Sequence, residues 1–222
     1  MPTQIASIRS AGTTVVTTNK LIRNTYTLLS MTLLFSAVTA TLSVMLNMPR
    51  ITYLVSIGIA FALMWFVLPR TAQSASGLGV VFAITGLLGF ALGPILSMYL
   101  QLPQGPQIVA TALGGTGVIF LGLSAYALTT RRDFNFMGGF LFVDMLVVLA
   151  ASLANIFFAM PAMSLAISAA VVMLMSGFIL FDTSRMVNGG VDNYILATIG
   201  LYMNIFNLFV SLLQILGITR DD

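Results

Sequence analysis

Apolar residues run along this chain in long blocks separated by short polar breaks. Seven blocks stand out, at roughly 23–48, 51–68, 77–100, 107–129, 136–160, 162–186 and 193–218. Each is close to the ~20 residues that a helix needs to cross a bilayer. The breaks are "MPR", "PRTAQSASG", "QLPQGPQ", "TRRDFN", "MP" and "NGGVDN", rich in the residues that end helices. Short connections predict antiparallel neighbours. The pattern therefore predicts an all-α integral membrane protein with seven transmembrane helices over residues 21–222. Residues 1–20 are polar and Thr-rich, without an apolar stripe, and read as a flexible tail.

The seventh block carries the most ordered pattern. Asn193, Ala197, Gly200, Asn204, Asn207, Ser211 and Gln214 step by 4, 3, 4, 3, 4 and 3, a single stripe at helical spacing. A helix facing lipid would not gather amides in this way. The stripe predicts that the last helix lies inside the bundle, its polar side meeting other helices or a water-filled cavity. The first block has a weaker stripe of Thr25, Thr32, Ser36, Thr39 and Ser43, read as packing, with hydroxyls bonding their own backbone.

Small residues mark other seams. Gly79, Gly86 and Gly93 recur every seven residues in the third block, with Gly89 between them. This predicts a close-packing face. Gly93-Pro94 predicts a kink or break, read either as a hinge or as plain tight packing. Gly114, Gly115 and Gly117 give the fourth block the same reading.

Composition narrows the chemistry. Of 222 residues, 59% are hydrophobic and 7% charged, far below the quarter usual in soluble domains. The chain has no Cys, no His and no Glu, so thiol chemistry, Ser–His catalysis and the usual metal ligands are excluded. No metal and no cofactor are expected. The net charge of +3 gives no reason to expect nucleic acid as a partner.

Charge placement gives an orientation. With a cytoplasmic N-terminus, the inner segments hold Arg9, Lys20, Arg23, Arg70, Arg131, Arg132 and Arg185, against Arg50 and Arg220 outside. That is a positive-inside bias, and an odd number of spans then puts the C-terminus outside.

Two acids fall inside apolar blocks. Asp182 lies about a turn from the inner end of the sixth, with Arg185 three residues on as a candidate ion-pair partner. Asp144 lies eight residues past Phe136 in the fifth, ~12 Å into the span at 1.5 Å per residue. An Asp near the bilayer centre costs roughly 3 kcal/mol on insertion scales, so both are candidate functional residues. Two intramembrane acids raise the idea of an aspartyl protease, but the GxGD context of such enzymes is absent.

The stretches "NKLIRNTYTLLS", "TGLLGFALGPIL", "ALGGTGVIFLGLSAYALTTRRDFNFMGGFL", "FILFDTSRMV" and "LYMNIFNLFVSLLQILG" together resemble the Bax inhibitor-1 (TMBIM) family. The resemblance implies seven helices with the last enclosed by the others. In calcium-leak members, two Asp residues on the last two helices form a pH-sensitive pair. The first corresponds to Asp182 in "LFDTS"; the second lies in a motif like "LYLDFINLF", where this chain has Asn204. Asn does not titrate, so the pair becomes a static amide–carboxylate bond rather than a shared-proton gate. Leak members also carry an Arg within the second helix, and here none precedes Arg70. Asp144 is a candidate replacement for the missing acid.

For a bacterial member the resemblance implies a non-enzymatic regulator in the inner membrane, a multi-pass protein whose C-terminus is periplasmic. Its partners would be the lipid bilayer and an FtsH-type membrane protease, with or without its regulatory complex. The alternative is a pH-sensitive calcium or proton leak lined by Asp182, Asn204, Asn207, Ser211 and Gln214, with Asp144 and Arg185 nearby.

Overall fold

A computed structural model describes residues 2–218, with side chains from residue 18 onward. Its helices are α1 (Pro2–Met45), α2 (Ile51–Thr71), α3 (Ser76–Leu100), α4 (Gly105–Thr130), α5 (Met137–Phe158), α6 (Pro161–Val187) and α7 (Tyr194–Ile218). All seven contain a stretch long and apolar enough to cross a membrane, that of α1 being Thr18–Met45. Apart from the start of α1, which lies 21 residues before its apolar block, these bounds follow the blocks to within about three residues. Residues 2–20, expected as a flexible tail, form the first stretch of the α1 backbone helix, with side chains described from residue 18 onward.

The seventh helix is central. In its most apolar stretch 61% of residues are buried, against 11% for α5. It packs on α1, α3, α4 and α6. The second most buried helix is α3, held chiefly by α1. Among the described residues α2 packs on α3 alone and α5 on α6 alone. Those two outer helices turn large apolar side chains such as Leu54, Trp65, Phe140 and Phe157 outward. In hydrocarbon such exposure carries no penalty, so close packing and hydrogen bonds must hold the bundle together.

The α1–α3 contact shows what close packing requires. A Cβ at Gly89 would strike the Ser36 carbonyl and the Thr39 hydroxyl, and one at Gly93 would strike Ser43. Gly86 faces the Phe35 ring in the same seam. Glycine at these positions lets two backbones approach. Gly79, by contrast, has open space beside it, so it is not part of the seam. The expected break at Gly93-Pro94 does not occur: α3 runs through Pro94, which is buried with Gly93 against the neighbouring helix. In α4, Gly115 meets Leu212 of α7, while Gly114 and Gly117 touch nothing within 4 Å.

Helix α2 runs three residues beyond the block ending at residue 68, through Pro69. It does so by widening to a π-helical stretch at Leu63–Val67, where the Leu68 N–H reaches the Leu63 carbonyl. Proline clashes with the carbonyl four residues earlier, and an inserted π turn moves that carbonyl aside.

Candidate functional site: the α6–α7 seam

The sequence of α7 places its small and amide side chains on one face, and that face meets α6. Asn204, 7% exposed, donates its Nδ2–H to Asp182 Oδ2 at 2.8 Å. One turn earlier, Gly200 leaves room for the carboxylate: a Cβ there would lie 3.5 Å from the same oxygen. Toward the other end, Gln214 Oε1 accepts from Ser168 Oγ at 2.9 Å. Two polar ties thus clamp the seam, ~21 Å apart measured along α6 at 1.5 Å per residue. Removing Asn204 takes from the Asp182 carboxylate its one hydrogen bond among the described residues, whereas Ser168 also reaches the Ser164 carbonyl of its own helix at 2.9 Å.

The other stripe residues do different work. Asn207 turns its amide back to the Met203 carbonyl of its own helix, 2.8 Å away. Ser211 is buried on the same side. Asn193 precedes the helix and caps it: Oδ1 accepts from the Ile195 and Leu196 N–H groups at 2.8 and 3.2 Å. Its Nδ2 donates to the Ala72 carbonyl just past α2, at 2.8 Å. The stripe is therefore a seam from Gly200 onward, with a helix cap before it.

The ion pair expected between Asp182 and Arg185 is not formed. Arg185 donates from Nη2 to the Gly190 carbonyl at 3.0 Å, and its guanidinium lies 5.5 Å from the centre of the Phe181 ring. The carbonyl in the α6–α7 turn and the aromatic face together hold the charge at the interface. Asp182 and Arg185 nevertheless line one cavity of ≈ 400 Å³, with Asp192, Asn193 and Gly200.

Asp144 is not brought to this site. Helix α5 packs on α6 with Gly138 against Phe181 and Gly177 against Leu141. That antiparallel register sets Asp144 level with about residue 174, ~12 Å along α6 from Asp182. Asp144 is half-buried, with no hydrogen bond or ion pair among the described residues. Among those residues, no three His, Cys, Asp or Glu side chains converge as a metal site.

Sequence reasoning missed a third polar tie. Tyr202, 1% exposed, shares a hydrogen bond with Ser36 Oγ at 2.6 Å and donates to the Thr85 carbonyl at 3.2 Å. The Ser36 contact can run either way, so Tyr202 accepts there when it donates to Thr85. One hydroxyl thus joins α1, α3 and α7. The available signal was a tyrosine deep in an apolar helix, whose hydroxyl needs a partner. The hydroxyl stripe of α1 by itself gives no sign that Ser36 bonds another helix.

The family model described as "Inhibitor of apoptosis-promoting Bax1" matches residues 18–221. An uncharacterised membrane protein of Vibrio cholerae is 50% identical over 205 residues, covering 92% of each chain. The Escherichia coli K12 protein named "Modulator of FtsH protease YccA" is 47% identical over 219 residues, 99% of each chain. An uncharacterised Pseudomonas aeruginosa protein is 46% identical over 90% of each chain. The chain belongs to the family of the inhibitor of apoptosis-promoting Bax1, the Bax inhibitor-1 family that its motifs resemble.

Proposed function

We propose that this protein is a non-enzymatic regulator in the bacterial inner membrane that binds an FtsH-type protease and restrains its action on membrane proteins. The observation that carries the reading is 47% identity, across 99% of both chains, to a protein named as a modulator of that protease. The seam supports it. Asp182 is held by a neutral amide rather than by a second acid, so α6 and α7 are tied without a proton to share.

In this reading the basic end of the bundle, with Lys20, Arg23, Arg70, Arg131, Arg132 and Arg185, is cytoplasmic, and the C-terminus is periplasmic. Residues 1–20 then extend on the side of an ATP-driven protease. Residues 2–20 are helical in α1; unwound and fully extended, the stretch would reach ~65 Å at ~3.3 Å per residue, long enough to be gripped. The protein would act as a competitor and as a slow substrate. Affinity purification of a tagged chain from native membranes tests this. Co-purification of the protease is expected, and its absence under mild solubilisation would count against the reading.

One observation favours a second reading, a calcium or proton leak. The ≈ 400 Å³ cavity lined by Asp182 and Asp192 gives a polar entrance beside the seam. Liposomes loaded with a calcium or pH reporter separate the two. A flux that falls in Asp182→Asn supports the leak; no flux between about pH 6 and 8 supports the regulator.

A further inference from the structure

Asp144 has no partner among the described residues, and its depth asks for one. It stands on α5, which packs on α6 alone and has the smallest buried share of the seven helices. The middle of α5 falls between residues 147 and 148, so Asp144 lies ~5 Å from it along the axis. Residue 174, level with it on α6, is the midpoint of Pro161–Val187. Both helices therefore put the carboxylate near the bilayer centre. The nearer end of α5 is ~10 Å away, too far for so short a side chain to reach the headgroups. Acids at that depth pair with another group rather than face lipid.

Asp182 shows how this chain satisfies such a group: the neighbouring helix supplies the Asn204 amide. Helix α6 supplies nothing equivalent to Asp144. Ser176, the polar residue nearest its level, bonds the Val172 carbonyl of its own helix at 2.7 Å. Outward, the flank is open. Phe140 and Val147, one turn to either side of Asp144, are 70% and 59% exposed, and the small Ala151 follows at the next turn. Steps of 4, 3 and 4 make these four residues one stripe, with the acid inside it.

The charge of the missing partner follows from where this chain keeps its own cations. Every Lys and Arg among the described residues lies in a loop or within two turns of the end of a span. A second copy, meeting this one at equal depth, would bring only another acid. A helix of a different protein with Lys or Arg near its middle would bring the opposite charge, and would itself need an acid in the bilayer.

We propose that the flank of α5 formed by Phe140, Asp144, Val147 and Ala151 is a docking site for a transmembrane helix of another protein, one that carries a basic residue near its midpoint to pair with Asp144. The site does not depend on the protease reading.

The chain has no Cys, so Val147→Cys places a single reporter beside the acid. The full-length variant is reconstituted in phosphatidylcholine liposomes with a Trp-flanked leucine–alanine helix of about 21 residues. This probe carries Lys at its centre and a Cys one turn away. Sister probes carry Leu or Asp in place of the Lys. Disulfide yield against probe concentration is the readout.

The Lys probe should reach half-maximal cross-linking at roughly fivefold lower concentration than the Leu probe, the scale of one interhelical polar contact. Adding Asp144→Leu should abolish the difference, and Asp144→Glu should keep it. With the reporter moved to Phe61→Cys, exposed at the middle of α2, the Lys and Leu probes should cross-link alike.

Equal cross-linking of the Lys and Leu probes at Val147→Cys would overturn the site. So would a preference that survives Asp144→Leu. Preferential capture of the Asp probe, or disulfide dimers of the Val147→Cys chain that Asp144→Leu removes, would assign the flank to a second copy and overturn the basic partner. Should Asp144→Leu fail to fold, the comparisons of Lys with Leu and of Lys with Asp probes on the Val147→Cys chain decide the matter alone.

Discussion

Asn204 donates its side-chain amide to Asp182 at 2.8 Å, joining the central helix to its neighbour at membrane depth. The bond places a group that cannot titrate beside the acid of α6, and a substituent at Gly200 would crowd the same carboxylate. The seam's chemistry therefore rests on these two residues.

Breaking this bond from either side should cost stability by a shared amount. In a double-mutant cycle with Asp182→Ala and Asn204→Ala, the coupling should be about 1 kcal/mol, the scale of interhelical hydrogen bonds in membranes. Thermal unfolding in detergent reads it. Additive losses would show that the bond does no more than fill space.

Restoring the second acid should create pH dependence. Asn204→Asp sets two carboxylates within hydrogen-bond reach, a pair that is comfortable when it shares one proton and repels when both are ionised. The variant's Tm should fall as pH rises from about 5 to 8, relative to the wild type over the same range. Parallel curves for the two proteins would mean that the acids do not meet.

The α1–α3 seam predicts a graded glycine series. Gly93→Val and Gly89→Val should each destabilise by roughly 1–3 kcal/mol, the usual range for overpacking, because the added atoms meet Ser43 and Ser36. Gly79→Ala and Gly117→Ala, with open space beside them, should be near neutral. Equal losses at all four positions would point to helix flexibility rather than contact.

The tail reading predicts a separation of functions. Deleting residues 1–18 should abolish degradation of this protein by its protease while membrane insertion and thermal stability persist. A pulse-chase comparison with the full chain measures it, and unchanged turnover would remove the tail as the handle.

Much of this architecture was legible in the sequence because lipid imposes simple rules. Twenty-residue apolar runs and their Gly/Pro breaks located the seven spans, and the 4–3 stripe from Asn193 to Gln214 placed α7 inside, although Asn193 itself turns out to cap the helix. Asp182 and Asn204 could be paired because a family motif brought them together. What was not legible depended on competition between partners. Helical spacing allowed Arg185 to meet Asp182, but a turn carbonyl and the Phe181 ring hold the guanidinium instead. The seven-residue glycine repeat did not show that Gly86 and Gly93 meet α1 while Gly79 meets nothing. Nor could spacing along α5 fix the register that keeps Asp144 from Asp182. Tyr202, two residues before Asn204, faces a different pair of helices and so lay outside any single stripe.

The most direct measurement is the rate at which the protease degrades a membrane-protein substrate in co-reconstituted liposomes, with and without this chain. The account predicts slower degradation when the chain is present, in proportion to its amount, and no calcium or proton flux through the same vesicles. An unchanged degradation rate together with a flux that disappears in Asp182→Asn would contradict it.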